Sequence, residues 1–336
     1  MRTAQALQCK GIKQVFSPLK NSPAESRARG YGFDLLSFDD FSSLSSLLNL
    51  RQYSQKINPS HIICYGGQED FICRFLPKKI RKIRFYGQEL PEYSTLSRIK
   101  FSSFFEQHFY KLAPCFKIEN QLKQVSNFKN IKTITLGLDS NAYLNAKEIP
   151  KSERPIICIF GRLDPVKGHR EFLKIFKKAM SLFPAHARPL LRIVGLEANL
   201  KKQDLQKAID HYSLSNDVDF ILDRINDPSK LMSKCHLGII SSIGSETICR
   251  VAEEFLLSGT RIFVSGVGGL EDLLLEKSFG ASYNSLNSDA AAQLLNNQLQ
   301  LSIEETAEDK LARSSLAAKY FGLDEFGNKL LATLRS

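Results

Sequence analysis

The chain has 336 residues, of which 43% are apolar and 24% charged; this composition is typical of a folded globular protein and excludes a disordered chain. No apolar run approaches the roughly 20 residues that cross a bilayer, and the N-terminal segment lacks the apolar core of a secretory signal, so the sequence predicts a cytosolic protein. Seven scattered cysteines without a CxxC pair, and six histidines without ligand spacing, argue against a disulfide scaffold and against a metal site.

The net charge of +11 is concentrated in the first half of the chain. Residues 1–150 carry 22 Lys and Arg against 12 Asp and Glu, whereas the rest of the chain is almost neutral. The densest basic cluster is PKKIRKIR at residues 77–84. A basic half favours an anionic partner, such as nucleic acid, a phosphorylated substrate or the acidic face of a membrane, and a solvated surface is the alternative.

Short β-branched runs alternate with helical stretches along the chain, which is typical of parallel sheets with crossover helices. The sequence therefore predicts an α/β fold with two Rossmann-like, doubly wound parallel-sheet domains facing a cleft, where such sheets bind ligands. The first domain is expected at 1–145 and the second at 146–318, and a C-terminal helix at 319–336 is expected to pack back on the first. The predicted strands are residues 12–16, 33–38, 61–65, 82–86, 115–120, 132–136, 155–160, 190–194, 218–222, 237–241, 260–264 and 280–284.

The first candidate for a ligand-binding loop is FGRLDPVKGHREFL at residues 160–173, which follows a buried-looking strand and opens an amphipathic helix. Gly161 permits a tight departure from the strand. Arg162 and Lys167 then project from the carboxyl edge of the sheet, and a planar guanidinium together with a point charge suits a diphosphate. The alternative is an ordinary helix start with solvated basic residues.

The second candidate is the segment that follows the strand at 237–241. Ser245 is a good N-cap, so the sequence predicts a helix from Ser245 to Leu257, with Glu246 in its first turn. Glu254 lies eight residues after Glu246, which separates the two carboxylates by roughly 12 Å along the axis and roughly 80° around it. That is too far for a carboxylate pair flanking one bond, but it matches an elongated ligand with hydroxyls at each end, such as a nucleotide sugar. The alternative is that Glu246 only favours the helix dipole and that Glu254 is a surface residue.

Together these segments resemble the retaining GT-B glycosyltransferases of family 4, the glycosyl transferases group 1 type. The resemblance rests on the GRL of residues 161–163, the KG of 167–168, the E-x7-E of 246–254 and the glycine-rich turns at 258–260 and 268–271. It implies an acceptor-side first domain, a nucleotide-sugar-binding second domain, and transfer of a sugar with retention of configuration.

The resemblance also assigns roles to individual residues. Arg162 and Lys167 would bind the donor diphosphate and offset charge on the departing nucleotide, and Glu246 would contact the donor sugar near the reacting carbon. No cofactor and no metal are implied, because the cations and the helix terminus do the work of a metal. The implied donor contacts are Gly161 in the loop, the backbone of Thr247 and Ile248 at the phosphates, Glu254 at the ribose, and Arg224 and Ile225 beside the base.

The N-terminal segment departs from this family pattern. RTAQALQCKGIKQVF has the character of the second helix and strand of the first domain, so the first strand and its loop are expected to be missing. Gln88 and Glu89 stand after the strand at 82–86, where relatives often carry His, and are the candidates for an acceptor-side contact.

The leading hypothesis is a cytoplasmic glycosyltransferase, peripheral on the inner face of the membrane. It would use a saccharide or lipid-linked acceptor, as in envelope polysaccharide assembly, and contact anionic lipid through residues 78–84. The alternative is a non-catalytic GT-B remnant or partner subunit that binds nucleotide or sugar; the missing strand favours it, and the intact Arg162, Lys167, Glu246 and Glu254 set argues against it. No nucleic-acid partner is expected, because the chain has no Trp and its Phe residues recur mostly at core spacing.

Overall fold

The computed structural model describes residues 1–90, 109–125, 130–144, 154–184, 187–244 and 246–335. It divides into two compact units, Met1–Gly137 with Leu323–Ser336, and Leu138–Gly322. The domain boundaries at 145/146 and 318/319 stay predictions that lie near these divisions. No helix in the described part of the chain is long and apolar enough to cross a membrane.

The first unit contains two groups of parallel strands. Strands β1 (Val15–Phe16) and β2 (Asp34–Leu35) form a two-stranded pair. A four-stranded sheet follows in the order β3-β4-β5-β6, and all its neighbours are parallel. Its strands are β3 (His61–Cys64), β4 (Arg81–Phe85), β5 (Phe109–Ala113) and β6 (Ile131–Thr133).

The helices of the first unit come from both ends of the chain, because the C-terminal helix packs against the N-terminal one. Gly327 sits on the backbone of Ala6, and His61 Nε2 lies 2.8 Å from the carbonyl oxygen of Leu334. The described helices are α1 (Arg2–Cys9), α2 (Pro23–Gly30), α3 (Leu44–Ile57), α4 (Gly67–Cys73), α5 (Phe116–Val125) and, at the C-terminus, α13 (Leu323–Arg335).

One predicted strand of this unit is wrong. Residues 115–120 lie mostly in helix α5, and the strand instead covers β5. Ile118 and Leu122, four residues apart, are both fully buried, so the apolar residues follow the helical repeat. Lys111, at the centre of this strand, is buried, and its ammonium group donates to the carbonyl of Phe109.

The second unit is built on a six-stranded parallel sheet in the order β12-β11-β10-β7-β8-β9. From β7 the chain adds β8 and β9 on one side, and it then returns to add β10, β11 and β12 on the other. The loops after β7 and β10 therefore diverge at one point of the carboxyl edge, where open α/β sheets bind ligands. The strands are β7 (Ile156–Phe160), β8 (Leu190–Val194), β9 (Val218–Ile221), β10 (Leu237–Ile240), β11 (Arg261–Ser265) and β12 (Gly280–Tyr283).

Amphipathic helices pack their apolar faces on both faces of this sheet, which explains why its central strands are almost continuous apolar runs. One core cluster joins the sheet to α7, α8 and α11, and another joins it to α9, α10 and α12. The predicted α/β class with two parallel sheets is confirmed. The helices are α6 (Asn141–Leu144), α7 (His169–Met180), α8 (Lys202–His211), α9 (Pro228–Ser233), α10 (Arg250–Leu257), α11 (Ser288–Ile303) and α12 (Ala307–Phe321).

Candidate functional site

A pocket of about 180 Å³ opens at the carboxyl edge of the second unit, where the loops after β7 and β10 diverge. Its lining includes three residues singled out in the sequence for the phosphate and sugar groups, Gly161, Lys167 and Glu246, together with Ile248. The topology therefore brings the two candidate loops to one site within a single unit.

The loop after β7 is held in a fixed shape by its own backbone. The amide of Gly161 donates to the carbonyl of Val194 on the neighbouring strand, at 2.8 Å. The carboxylate of Asp164 accepts from the amide of Val166 and caps the short 3-10 turn Pro165–Lys167. Lys167 therefore stands at the end of a capped turn, where its side chain reaches the pocket.

Gly168 brings the loops after β7 and β10 into direct contact. Its φ is +65°, and a Cβ there would overlap the carbonyl oxygen of Ser241, so only glycine fits without displacing backbone. The hydroxyl of Ser241 donates to the carbonyl of Lys167 at 2.8 Å, and the amide of Ile243 donates to the carbonyl of Val166 at 2.9 Å. These bonds fix the relative positions of Lys167 and the segment that carries Glu246.

Lys167 and Glu246 form an ion pair in the pocket. The hydroxyl of Ser242 donates to the same carboxylate oxygen of Glu246 at 2.7 Å. The Glu246 peptide is held from below by the glycine-rich turn, because the amide of Gly269 donates to its carbonyl at 2.6 Å. Gly268, with φ +70°, lies so close to that peptide that a Cβ would overlap it. Side chain and backbone of Glu246 are both fixed by partners distant in sequence.

The predicted start of the following helix is wrong. Helix α10 begins at Arg250, and Glu246 lies in a non-helical segment before it, while Ser245 lies outside the described residues. The carbonyl of Glu246, which a helix would pair with the amide four residues on, is instead bonded to Gly269. The glycine-rich turn therefore replaces the first helical turn that the serine N-cap predicted.

Arg162 has a different environment from Lys167. Its side chain is 63% exposed and its Nε lies 3.3 Å from Oδ2 of Asp164, a buried carboxylate that also accepts from Asn199. Arg162 is not among the residues lining the pocket, although it directly follows Gly161, which is.

Glu254 is not a surface residue, so that alternative is wrong. It is 5% exposed, and Nε of Arg250 donates to its Oε1 at 2.6 Å. The phenol of Tyr143 lies beside the same pair, and burial, followed by the charge of the Glu254 carboxylate, raises the pKa of Tyr143. Arg250 lines the pocket and was not a sequence candidate; its spacing of four residues from Glu254 was the signal that could have identified it.

The pocket contains a second residue whose importance was missed. His169, the first residue of α7, is 1% exposed and lines the pocket. Burial lowers its pKa to about 4. The carbonyl of Asp164 lies near the ring and opposes this shift, but neither ring nitrogen reaches hydrogen-bond geometry with any described residue.

The remaining residues predicted to contact the donor or the acceptor do not line the pocket, except Ile248. Thr247 precedes Ile248 in the same segment, and Arg224 and Ile225 follow β9 at the carboxyl edge of the sheet, with Arg224 exposed and Ile225 packed on the core. Neither Arg224 nor Ile225 lines the pocket. In the first unit Gln88 is exposed, and Glu89 accepts a 2.5 Å ion pair from Lys117. Among the described residues there is no group of three His, Cys, Asp or Glu that could hold a metal ion.

Some of the basic residues at 77–84 are buried or paired within the first unit. Lys82 is buried, and Arg84 makes a 2.6 Å ion pair with the buried Asp70. Lys78 and Lys79 are exposed. The exposed charge available to an anionic surface is therefore smaller than the sequence alone indicates.

Comparison with known proteins gives a family and a fold. The family model described as "Glycosyl transferases group 1" matches residues 143–313. No curated protein matches in sequence. Among solved structures, a glycosyltransferase from Rickettsia africae ESF-5 aligns with TM-score 0.82 and 14% identity, covering 99% of this chain and 92% of that one.

Two further structures align over 99% of this chain. HepE from Anabaena, in complex with UDP-glucose, has TM-score 0.70 and 18% identity over 95% of its own length. WaaG, a glycosyltransferase involved in lipopolysaccharide biosynthesis, has TM-score 0.62 and 14% identity over 94% of its length. At these identities the likeness is one of fold.

Proposed function

Because this chain belongs to the glycosyl transferases group 1 family, we propose that it transfers a sugar from a nucleotide-sugar donor to a saccharide or lipid-linked acceptor. The family match agrees with the motifs that predicted it, and the GT-B class of the fold is confirmed. The observation that carries the proposal is the Lys167–Glu246 ion pair in the pocket between the β7 and β10 loops.

The pair gives the pocket a group for each part of a donor. A diphosphate competes with Glu246 for Lys167, because phosphate oxygens accept charge-assisted hydrogen bonds from ammonium groups. Glu246, released from Lys167, can then accept hydrogen bonds from sugar hydroxyls. Lys167, with Arg162 as a second cation, offsets the charge that builds on the nucleotide as the glycosidic bond breaks.

The remaining donor contacts follow from the direction in which the ligand lies. With its sugar at Glu246, the nucleotide extends past Ile248 and the Thr247 backbone towards Glu254, which accepts hydrogen bonds from ribose hydroxyls. Arg224 and Ile225, after β9, flank the base. The UDP-glucose bound by the Anabaena relative supports a donor of this chemical class.

The proposed reaction retains the anomeric configuration and uses no divalent ion, since fixed cations act on the diphosphate. On the acceptor side, Gln88 and Glu89 contact the incoming saccharide. The exposed Lys78 and Lys79, with the lipopolysaccharide role of WaaG, support a cytoplasmic protein that meets an envelope acceptor at an anionic membrane.

The test combines binding and turnover. UDP, GDP, ADP and dTDP are screened by thermal shift, and turnover of the corresponding nucleotide sugars is measured in excess EDTA, with the anomer of the product assigned by NMR. We expect one nucleotide to raise Tm, turnover to persist without divalent ions, and Lys167→Ala and Glu246→Ala each to lower turnover at least about 100-fold.

The matched control is Lys177→Ala, which removes an exposed lysine from helix α7 and should leave turnover unchanged. Nucleotide binding without turnover of any donor would favour the non-catalytic remnant. Failure of all four nucleotides to bind would overturn the proposed function.

A further inference from the structure

The side chain of Arg250 is exposed to solvent but is held in place by an ion pair. Its side chain is 64% exposed, yet Nε is fixed by Glu254 at 2.6 Å, and the phenol of Tyr143 lies against the same pair. A guanidinium carries five N–H donors in a rigid fork. With the Nε edge held by Glu254, donors remain on the exposed part of the fork, and Arg250 itself lines the pocket.

The other two cations near the site have carboxylate partners of their own. Lys167 is bonded to Glu246 and is 31% exposed, and Arg162 is held by Asp164 and does not line the pocket. A nucleoside diphosphate brings at least two negative charges to this site. Arg250 is the further pocket-lining cation, and its partner Glu254 is a carboxylate proposed to bind ribose rather than phosphate.

The position of Arg250 along the helix specifies which phosphate it meets. It lies one turn before Glu254, roughly 6 Å along the axis, at the N-terminal end of the helix that follows the segment with Glu246. If the ribose is at Glu254 and the sugar at Glu246, the group one turn from the ribose is the α-phosphate. Lys167, paired with Glu246 at the other end, is then next to the β-phosphate.

We propose that Arg250 is a donor-binding residue that holds the α-phosphate of the nucleotide, while Glu254 fixes its guanidinium and contacts the adjoining ribose. This inference rests on the proposed function, because it assumes a nucleotide in the pocket. It assigns the α-phosphate to Arg250 and leaves the β-phosphate to Lys167. Neither the family match nor the sequence motifs assign Arg250 a role.

The division is tested with a nucleotide series. The tightest of UDP, GDP, ADP and dTDP for the parent protein is taken with its monophosphate and its nucleoside, and each Kd is measured by calorimetry. We expect Arg250→Leu to weaken the diphosphate and the monophosphate alike, by about 10- to 100-fold, and to leave the nucleoside unweakened. Lys167→Ala should weaken the diphosphate and leave the monophosphate within about threefold.

Removal of Arg250 alone leaves Glu254 buried without its partner, so the comparison is repeated in a background that avoids this charge. Arg250→Leu combined with Glu254→Gln is compared with Glu254→Gln, and Arg250→Lys shows whether the fork or only the charge is needed. Circular dichroism and Tm verify that each variant is folded.

Three results overturn the inference. The first is an equal loss of affinity for nucleoside and monophosphate in the Arg250→Leu variant, which would make Arg250 only a support for Glu254. The second is no loss of affinity for either the monophosphate or the diphosphate. The third is a loss of affinity for the diphosphate alone. If no nucleotide binds the parent protein, the proposed function fails before any variant is made, so the two failures are distinguishable.

Discussion

The buried imidazole of His169 should make the stability of the second unit depend on pH in a defined way. Its pKa is lowered to about 4, mainly because burial disfavours the charged ring, whereas the ordinary value is 6.5. Above pH 6.5 the ring is neutral in both the folded and unfolded states, so the full stability is present. Between pH 6.5 and pH 4 only the unfolded state gains the proton, and this proton uptake favours unfolding.

The size of the effect follows from the shift. Each pH unit between the two values costs about 1.4 kcal/mol of unfolding free energy, so the loss approaches roughly 3 kcal/mol near pH 4. His169→Leu removes the titrating group at similar volume, and it also removes two buried ring nitrogens that have no hydrogen-bond partner among the described residues. The variant should match or exceed the parent in stability at pH 7, and its advantage should grow by roughly 3 kcal/mol towards pH 4.

The assay is urea unfolding followed by circular dichroism at pH 7, 6, 5 and 4. Hydrogen exchange of the α7 amides assigns the change to the second unit, because a chain with two compact units need not unfold in one step. His211→Gln, which removes an exposed histidine of α8, is the control and should keep the parent's pH dependence. Parallel curves for the parent and His169→Leu over this range would refute the argument.

Two further predictions concern the loop contact and the basic cluster. Gly168→Ala places a Cβ against the carbonyl oxygen of Ser241 at a positive φ, so it should weaken nucleotide binding in calorimetry at least about 10-fold and lower Tm. The control is Gly30→Ala, because a Cβ there meets open space. Equal nucleotide affinity and Tm for the two variants would contradict the loop geometry. The double variant Lys78→Gln, Lys79→Gln should bind phosphatidylglycerol vesicles about 30-fold more weakly, since each lysine contributes about 1 kcal/mol. The control is the double variant Lys174→Gln, Lys177→Gln, which removes the same charge from another surface. Vesicle binding that does not depend on salt, or that is unchanged in the first double variant, would refute the proposed membrane contact.

The sequence predicted most of the fold of the second unit because its central strands are buried on both faces. The runs at 155–160 and 237–241 became β7 and β10 with ends within one residue. In the first unit the runs are less regular. Of residues 33–38, only the two residues of β2 pair as a strand. Residues 115–120 alternate between apolar and polar side chains over too short a run to distinguish a strand from a helix, and most of them lie in α5.

The candidate site was predictable where local motifs decide the geometry, and only there. Lys167 could be placed at the pocket because the strand, the loop and the amphipathic helix that surround it are encoded within a few residues. The loss of helix before Arg250 was not predictable, because it depends on a hydrogen bond between Glu246 and Gly269, 23 residues later. Sequence spacing indicates which residues are neighbours on a helix, but it does not indicate which carbonyl accepts a hydrogen bond from the amide of a distant glycine.

One non-local ion pair and one pair within a helix explain how the pocket accommodates several charged side chains. Each of its largely buried carboxylates is matched by a cation, Glu246 by Lys167 and Glu254 by Arg250, which avoids the cost of an unpaired buried charge. If the pocket binds a nucleotide sugar as proposed, phosphates would replace the carboxylates at the cations and hydroxyls would replace the cations at the carboxylates, so that binding would exchange partners rather than add them. A nucleoside alone can engage Glu254 but gives Arg250 nothing in return, and for that reason affinity should rise steeply with the first phosphate and again with the second.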